Sequence, residues 1–284
     1  MRLAVSSYSF RNYLKESGCD HFELCRLAKE MGFEGIEFVA LDEGDFCCED
    51  PLAAAAALRD YCKEIGLFIV AYAVGANLLS EKIEEEVRRT KRRIDTAEAL
   101  GAPIFRHDVC YSLKKKEGYS YEDAIAEMVP VIRELADYAA GKGMRTCTEN
   151  HGYIFQHPLR VKELMQAVNH QNYGWLCDIG NFLCVDADVM KAVSIAAPYT
   201  LHVHAKDFFY RSGTEERPEG FFGTSGGNHL KGTVIGEGVV PVKESLEILK
   251  NAGYNGWVSL EFEGSEDNLF AIKEGRKRLA EYLS

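Results

Sequence analysis

Segments that favour strands alternate with segments that favour helices eight times along the 284 residues, with no linker or change of composition between them. Alternation of this kind places the strands parallel, because each helix carries the chain back along the sheet before the next strand begins. Two architectures satisfy it, a closed barrel and an open doubly wound sheet. The open sheet would want a glycine-rich phosphate turn after its first strand, and residues Ser6 to Asn12 contain no glycine. The length is near the ~250 residues typical of the closed form. The expectation is an α/β fold, a single-domain eight-stranded parallel (β/α)8 barrel over residues 1–284.

Punctuation residues set the expected boundaries. The first strand runs near Leu3 to Tyr8, followed by a helix from Asp20 to Met31 and a strand at Gly35 to Val39. Asp50-Pro51 opens a helix that Gly66 closes, with proline at the first helical position and glycine just past the end. A strand at Leu67 to Val74 precedes a helix capped by Ser80 and ending at Leu100. The fourth strand lies near Pro103 to His107, and after the polar loop Lys114-Lys115-Lys116 a helix from Ser120 to Lys142 bends at Pro130. The remaining helices start at His157-Pro158, Ala187, Pro241 and Ser265. Residues Asp207 to Val240 break this rhythm and are rich in glycine and aromatics, which predicts a long loop or lid at 207–240.

The formal net charge of -11 argues against a chain whose main task is to hold nucleic acid or an anionic membrane. Nine scattered cysteines with no CxxC pair suggest reduced thiols in a cytoplasm rather than a disulfide framework or a thiolate zinc site. No stretch approaches the length and apolarity of a membrane span.

Four strands end in residues with metal-binding chemistry. Met144 to Glu149, Tyr173 to Asp178 and Trp257 to Glu261 each end in a carboxylate before a glycine-containing turn, and Leu201-His202-Val203-His204 puts two imidazoles on one face. A closed parallel barrel would bring Glu149, Asp178, His204 and Glu261 to one rim. One imidazole and three carboxylates form a hard donor set, expected to hold one divalent ion, Mn²⁺ or Mg²⁺ first, with Co²⁺ or Zn²⁺ tolerated. Such an ion polarises a carbonyl and neighbouring hydroxyl of a sugar, and Glu149 and Glu261 are the expected acid and base for proton transfer through an enediolate. His202 lies deeper and is read as a hydrogen-bonding residue beside ligand or substrate. His107 and His151 are expected to touch substrate, Lys206 to bind a substrate oxygen or pair with Asp207, and Glu37 to orient others from the interior.

Gly35-Ile36-Glu37, Glu149-Asn150-His151, Asp178-Ile179-Gly180-Asn181, His202-Val203-His204-Ala205-Lys206-Asp207 and Gly236-Glu237-Gly238, in this order and spacing, resemble the xylose-isomerase-like TIM barrel superfamily, in its sugar phosphate isomerase/epimerase group. The closing Gly253 to Gly264 segment is similar to that group as well. The resemblance implies a barrel with one divalent metal on Glu149, Asp178, His204 and Glu261, the two glutamates doubling as the acid/base pair. It also points to Asn181 and Arg211 as substrate contacts. In ketose 3-epimerases of the group the first of these positions usually carries histidine, and Arg211 is only approximately in register with their arginine, which weakens the expectation of a free ketohexose substrate. Relatives that are abasic-site endonucleases need further histidines and a basic groove, which this chain lacks. Other relatives dehydrate inososes or cleave oxidised glycosides with a similar single metal. The implied activity is isomerisation or epimerisation of a sugar or sugar derivative, with a single-metal lyase as the alternative and a non-catalytic metal-containing binding protein behind it. A small carbohydrate is the expected partner, with homo-oligomers left open.

Overall fold

The computed structural model describes residues 1–114, 116–214 and 216–284. Strands β1 (Arg2–Ser6), β2 (Gly35–Val39), β3 (Phe68–Val74), β4 (Ile104–His107), β5 (Arg145–Glu149), β6 (Tyr173–Asp178), β7 (Thr200–Ala205) and β11 (Trp257–Leu260) close a parallel barrel, β1 pairing with both β2 and β11. Helices α1 (Arg11–Ser17), α2 (His21–Glu30), α3 (Pro51–Ile65), α4 (Ile83–Leu100), α5 (Tyr121–Ala140), α6 (Pro158–Val168), α7 (Val189–Ala196), α8 (Val242–Asn251) and α9 (Asn268–Leu283) wrap it. The main apolar core lies between helices and strands, with Phe38, Phe105, Trp175, Leu164 and Leu279 among its buried members. A separate small cluster, Ala4, Val70 and Ala71 with Ile104 and Trp257, packs near the strand starts, away from the rim.

Most boundaries follow the local chemistry read from the sequence. Asp20 caps α2 through the Glu23 N–H, Asp50 caps α3 with Pro51 at its first turn, and Gly66 ends α3 in the left-handed conformation at φ 67°. Ser120 and Asp123 form a capping box on α5. Ser80 does not cap α4: its hydroxyl takes the Lys82 N–H in a local turn, and the helix starts at Ile83 without a side-chain cap. A serine can satisfy a turn as readily as a helix end, so its type alone does not fix the boundary. The middle of the Lys114-Lys115-Lys116 loop lies outside the described residues.

The long segment expected at 207–240 carries a small sheet within its loops. β8 (Asp207–Arg211), β9 (Phe222–Gly223) and β10 (His229–Thr233) form an antiparallel sheet in the order β8-β10-β9 above the rim. Glycines and short alternating runs hid its pairing. Two anchors hold it. Asp186 accepts from Thr224, the Gly226 N–H and Asn228, and buried Asp207 accepts four backbone N–H groups, from Phe208, Gly236, Gly238 and Val240. An orphaned buried N–H costs roughly 1–3 kcal/mol. Asp207→Ala is therefore expected to destabilise the protein by at least about 2 kcal/mol in urea denaturation; a change within ~0.5 kcal/mol would contradict this anchoring.

Candidate metal centre

The parallel strands deliver their C-terminal ends to one rim, and four of them converge. Asp178 ends β6 and pairs in register with His204 of β7, while Glu149 ends β5 and Glu261 follows β11, where its N–H donates to Ala205. The His204 Nδ1 atom lies 3.5 Å from Glu261 Oε2, 3.8 Å from Asp178 Oδ2 and 3.9 Å from Glu149 Oε2. Donors each about 2.1 Å from one ion stand roughly 3–4 Å apart, so the spacing suits a common divalent cation. Nδ1 is buried and makes no hydrogen bond. A buried imidazole nitrogen left in this way is costly unless something accepts its lone pair.

Burial would lower the His204 pKa, but Glu37 and Glu261 raise it well above the ordinary value, so a cation at Nδ1 would take the place of a proton, and the other side of the ring is held by its own partners. His204 Nε2 lies 2.9 Å from both Glu37 oxygens, and His202 Nε2 lies 2.8 Å from Glu37 Oε2 and 2.9 Å from the Ser259 hydroxyl. Glu37, His202 and His204 also make a compact trio of potential ligands. Their separations are those of hydrogen bonds, so this trio acts as the support of the site rather than as a second one. Burial would lift the Glu37 carboxyl, but the two imidazoles hold it well below the ordinary carboxylate range. An Nε2–H donated to Glu37 fixes the tautomer and aims Nδ1 at the three carboxylates.

Two cations complete the cluster. Lys206 Nζ stands 2.5 Å from Glu261 Oε2, 3.0 Å from Asp178 Oδ2 and 3.6 Å from Glu263 Oε2. It does not pair with Asp207, because consecutive residues of an extended segment face opposite sides. Arg106 Nη2 lies 2.8 Å from both Glu149 Oε2 and Asp108 Oδ1, and Asn181 Nδ2 donates to Glu149 Oε1 at 2.8 Å. Burial, with Glu149 and Glu261 alongside, pushes Asp178 up to about 7 against the pull of Lys206. A divalent cation would relieve that crowding of negative charge.

The other residues singled out in the sequence divide. His151 lines the cavity, with Nδ1 3.3 Å from Asp108 Oδ1; burial lowers its pKa, but Asp108 outweighs this and raises it. Asn181 lines the cavity against Glu149. His202 is fully buried beneath the cavity, bonded to Glu37, and does not reach substrate space. His107 packs outward against Phe105 and Tyr173, its Nδ1 on the Asp108 carbonyl and its pKa lowered to about 4 by burial, so it is no substrate contact. Arg211 is exposed on β8 and donates to the carbonyl of Tyr210, away from the cavity.

Arg106, Asp108, Tyr8 and Glu263 were missed. A charged residue inside the short strand Ile104-Phe105-Arg106-His107 was the available signal for the first, because strand alternation allows only one of Arg106 and His107 to face inward. Glu263 sits two residues beyond Glu261, on the same face by the same rule.

Asp108 gives a pH prediction. Burial raises its pKa, but Arg106 and His151 overcome this and hold the carboxyl at about 2, below the ordinary 3.8. A depressed carboxyl contributes stability that is fully present above the unfolded value near 4 and is lost as pH falls through 2. At ~1.4 kcal/mol per unit the contribution is about 2 kcal/mol. Denaturant unfolding from pH 5 to pH 2 is expected to show a steeper loss for the wild type than for Asp108→Asn; parallel curves would contradict this.

Three connected spaces cover the rim: an outer chamber of about 530 Å³, a central chamber of about 320 Å³ over the candidate ligands, and a side groove of about 310 Å³. The outer chamber is faced by Tyr8, Tyr153 and Phe222 with Asn12, Gln156 and Lys231, a mixture of aromatic faces and polar groups suited to a hydroxylated ring.

The closed parallel barrel, with its candidate ligands gathered at the C-terminal rim, defines the chain as a TIM-barrel protein. The chain belongs to the xylose isomerase-like TIM barrel family, whose model matches residues 25–282. It is 26% identical over 254 residues to inosose dehydratase of Geobacillus thermodenitrificans (strain NG80-2), covering 85% of this chain and 82% of that protein. Among solved structures, IolI protein with a bound zinc atom superposes with a TM-score of 0.77 at 19% identity, covering 100% of this chain and 98% of the other. D-allulose 3-epimerase from Methylomonas sp. superposes with a TM-score of 0.73 at 20% identity, covering 99% and 98%.

Proposed function

We propose that this chain is a divalent-metal-dependent lyase of a cyclic polyhydroxylated ketone, with Glu149, Asp178, His204 and Glu261 holding the ion. The single observation that carries the metal is the buried, unbonded His204 Nδ1 facing three carboxylates. Mn²⁺ is the first expectation by donor hardness, with Mg²⁺, Co²⁺ and Zn²⁺ accommodated by the same set. An ion there supplies a Lewis acid for a carbonyl oxygen and its neighbouring hydroxyl.

The protein supplies the proton chemistry around it. Both oxygens of Glu149 are engaged, by Arg106 and by Asn181, which fixes that carboxylate as a ligand more than as a proton carrier. Glu261 faces Lys206 at the other side of the ligand set and is the candidate base for a proton beside the carbonyl. His151, oriented by Asp108 and open to the cavity, is placed to hand a proton to a departing hydroxyl. This asymmetry favours elimination, in agreement with the inosose dehydratase likeness. Epimerisation or isomerisation is the second reading, favoured by the presence of two glutamates on one centre. Among the described residues no helix is long and apolar enough to cross a membrane.

The test is incubation of Mn²⁺-loaded protein with an inosose in deuterated water, followed by mass spectrometry. A product lighter by one water is expected. A product of unchanged composition that carries deuterium would replace elimination by epimerisation or isomerisation. No change with this substrate or a panel of ketoses, under any of the four metals, would overturn both.

A further inference from the structure

Asp178 and Glu149 are joined through one residue. Asn181 stands in the short helical turn after β6, where its backbone N–H donates to Asp178 Oδ1 at 3.0 Å and its side-chain Nδ2 donates to Glu149 Oε1 at 2.8 Å. The oxygens nearest His204 Nδ1 are the other two, Asp178 Oδ2 and Glu149 Oε2. An ionised carboxylate only accepts, so the amide presents its NH₂ to Glu149 and not its oxygen. One residue therefore engages one oxygen of each of two candidate ligands.

That bridge is itself held in place. Gln156 Nε2 donates to the Asn181 carbonyl at 2.7 Å, and Gln156 Oε1 accepts the Tyr153 N–H at 2.6 Å. Asn150 fixes the main chain of Asp178 from the end of β5. Its Nδ2 donates to the Asp178 carbonyl at 2.8 Å, and its Oδ1 accepts the Asp178 N–H at 3.0 Å and the Trp175 indole N–H at 2.9 Å. Asn150, Gln156 and Asn181 are all buried. Arg106 Nη2 lies 2.8 Å from Glu149 Oε2, so that carboxylate is held at both oxygens. A carboxylate chelates an ion by turning both oxygens toward it, and an oxygen held by a fixed, buried N–H gives up a charge-assisted hydrogen bond when it turns.

We infer that Asn181 determines which ion the centre takes: it keeps Asp178 and Glu149 to one oxygen each and so selects against large cations. This deepens the metal-dependent reading and rests on it. Ca²⁺ gathers roughly 6–8 oxygens, often both from one carboxylate, whereas Mg²⁺ keeps a near-ideal octahedron of about six ligands, several of them water. A set restricted to single oxygens suits the smaller ion. Released from Asn181, Glu149 can offer its second oxygen, which benefits the larger ion more. A residue that only supported the fold would weaken every ion alike, so the two roles separate in the ratio of affinities.

The test measures Kd for Mn²⁺ and for Ca²⁺ on the full chain, by competition with a metal-sensitive dye at constant ionic strength. Asn181→Ala removes the donor to Glu149 and keeps the backbone N–H to Asp178, so Glu149 alone becomes free to chelate. The expected result is a fall of at least about tenfold in the ratio of the Ca²⁺ Kd to the Mn²⁺ Kd. An unchanged or rising ratio, including equal weakening of both ions, would overturn the inference and leave the metal centre standing. Wild-type protein that binds neither ion would remove the metal centre and the inference with it. Should Asn181→Ala fail to fold, Asn181→Ser, whose hydroxyl is too short to reach Glu149, is read by the same ratio.

Discussion

Glu261→Gln is expected to lower kcat/KM for whichever cyclic ketone proves active by at least ~10³-fold, within the 10²–10⁴-fold range of a positioned acid or base, while leaving a folded barrel. The carboxylate sits 3.5 Å from His204 Nδ1 and 2.5 Å from Lys206 Nζ, and the proposed chemistry asks it to be both ligand and proton acceptor. The amide keeps the shape and loses the basicity. Solvent deuterium exchange next to the carbonyl should fall in parallel with turnover if the lost step is proton removal. Activity within tenfold of the wild type, with metal bound, would remove Glu261 from the proton chemistry and shift that role to His151 or Glu149.

Glu37→Gln carries the largest expected effect on stability. The carboxylate is fully buried and faces His202, His204 and Ser259 at once. An amide presents an NH₂ where a carboxylate accepted, so at least one imidazole N–H loses its acceptor. Breaking a buried charged pair costs about 3–5 kcal/mol. Loss of the tautomer lock should also weaken metal affinity by roughly 10–100-fold, as for other outer partners of ligating histidines. Urea denaturation and competition with a metal-sensitive dye read the two effects separately. A variant as stable as the wild type with unchanged metal affinity would show that Glu37 supports neither.

The fold was legible because its punctuation is local. Pro51 and Gly66 mark the ends of α3 through their own backbone preferences, and Ser120 and Asp123 mark the start of α5 within one turn. The four candidate ligands were legible for a related reason, since each sits at or just past the end of a recognisable strand. Side-chain parity was harder: a slip of one residue in β4 put His107 where Arg106 belongs. The Glu37 network joins residues 165 positions apart, and nothing local announces which interior carboxylate will meet which imidazole. The sheet at 207–240 escaped because β9 is only two residues long, and its anchor Asp186 comes from the turn after β6.

The proposed chemistry needs one divalent ion held by Glu149, Asp178, His204 and Glu261, and metal stoichiometry decides whether it is there. Protein incubated with excess Mn²⁺, desalted and analysed by elemental mass spectrometry should retain close to one equivalent, with His204→Ala and Asp178→Asn retaining almost none while circular dichroism stays barrel-like. Wild-type protein that keeps no Mn²⁺, Mg²⁺, Co²⁺ or Zn²⁺, or variants that keep as much as the wild type, would contradict the metal centre and the chemistry built on it.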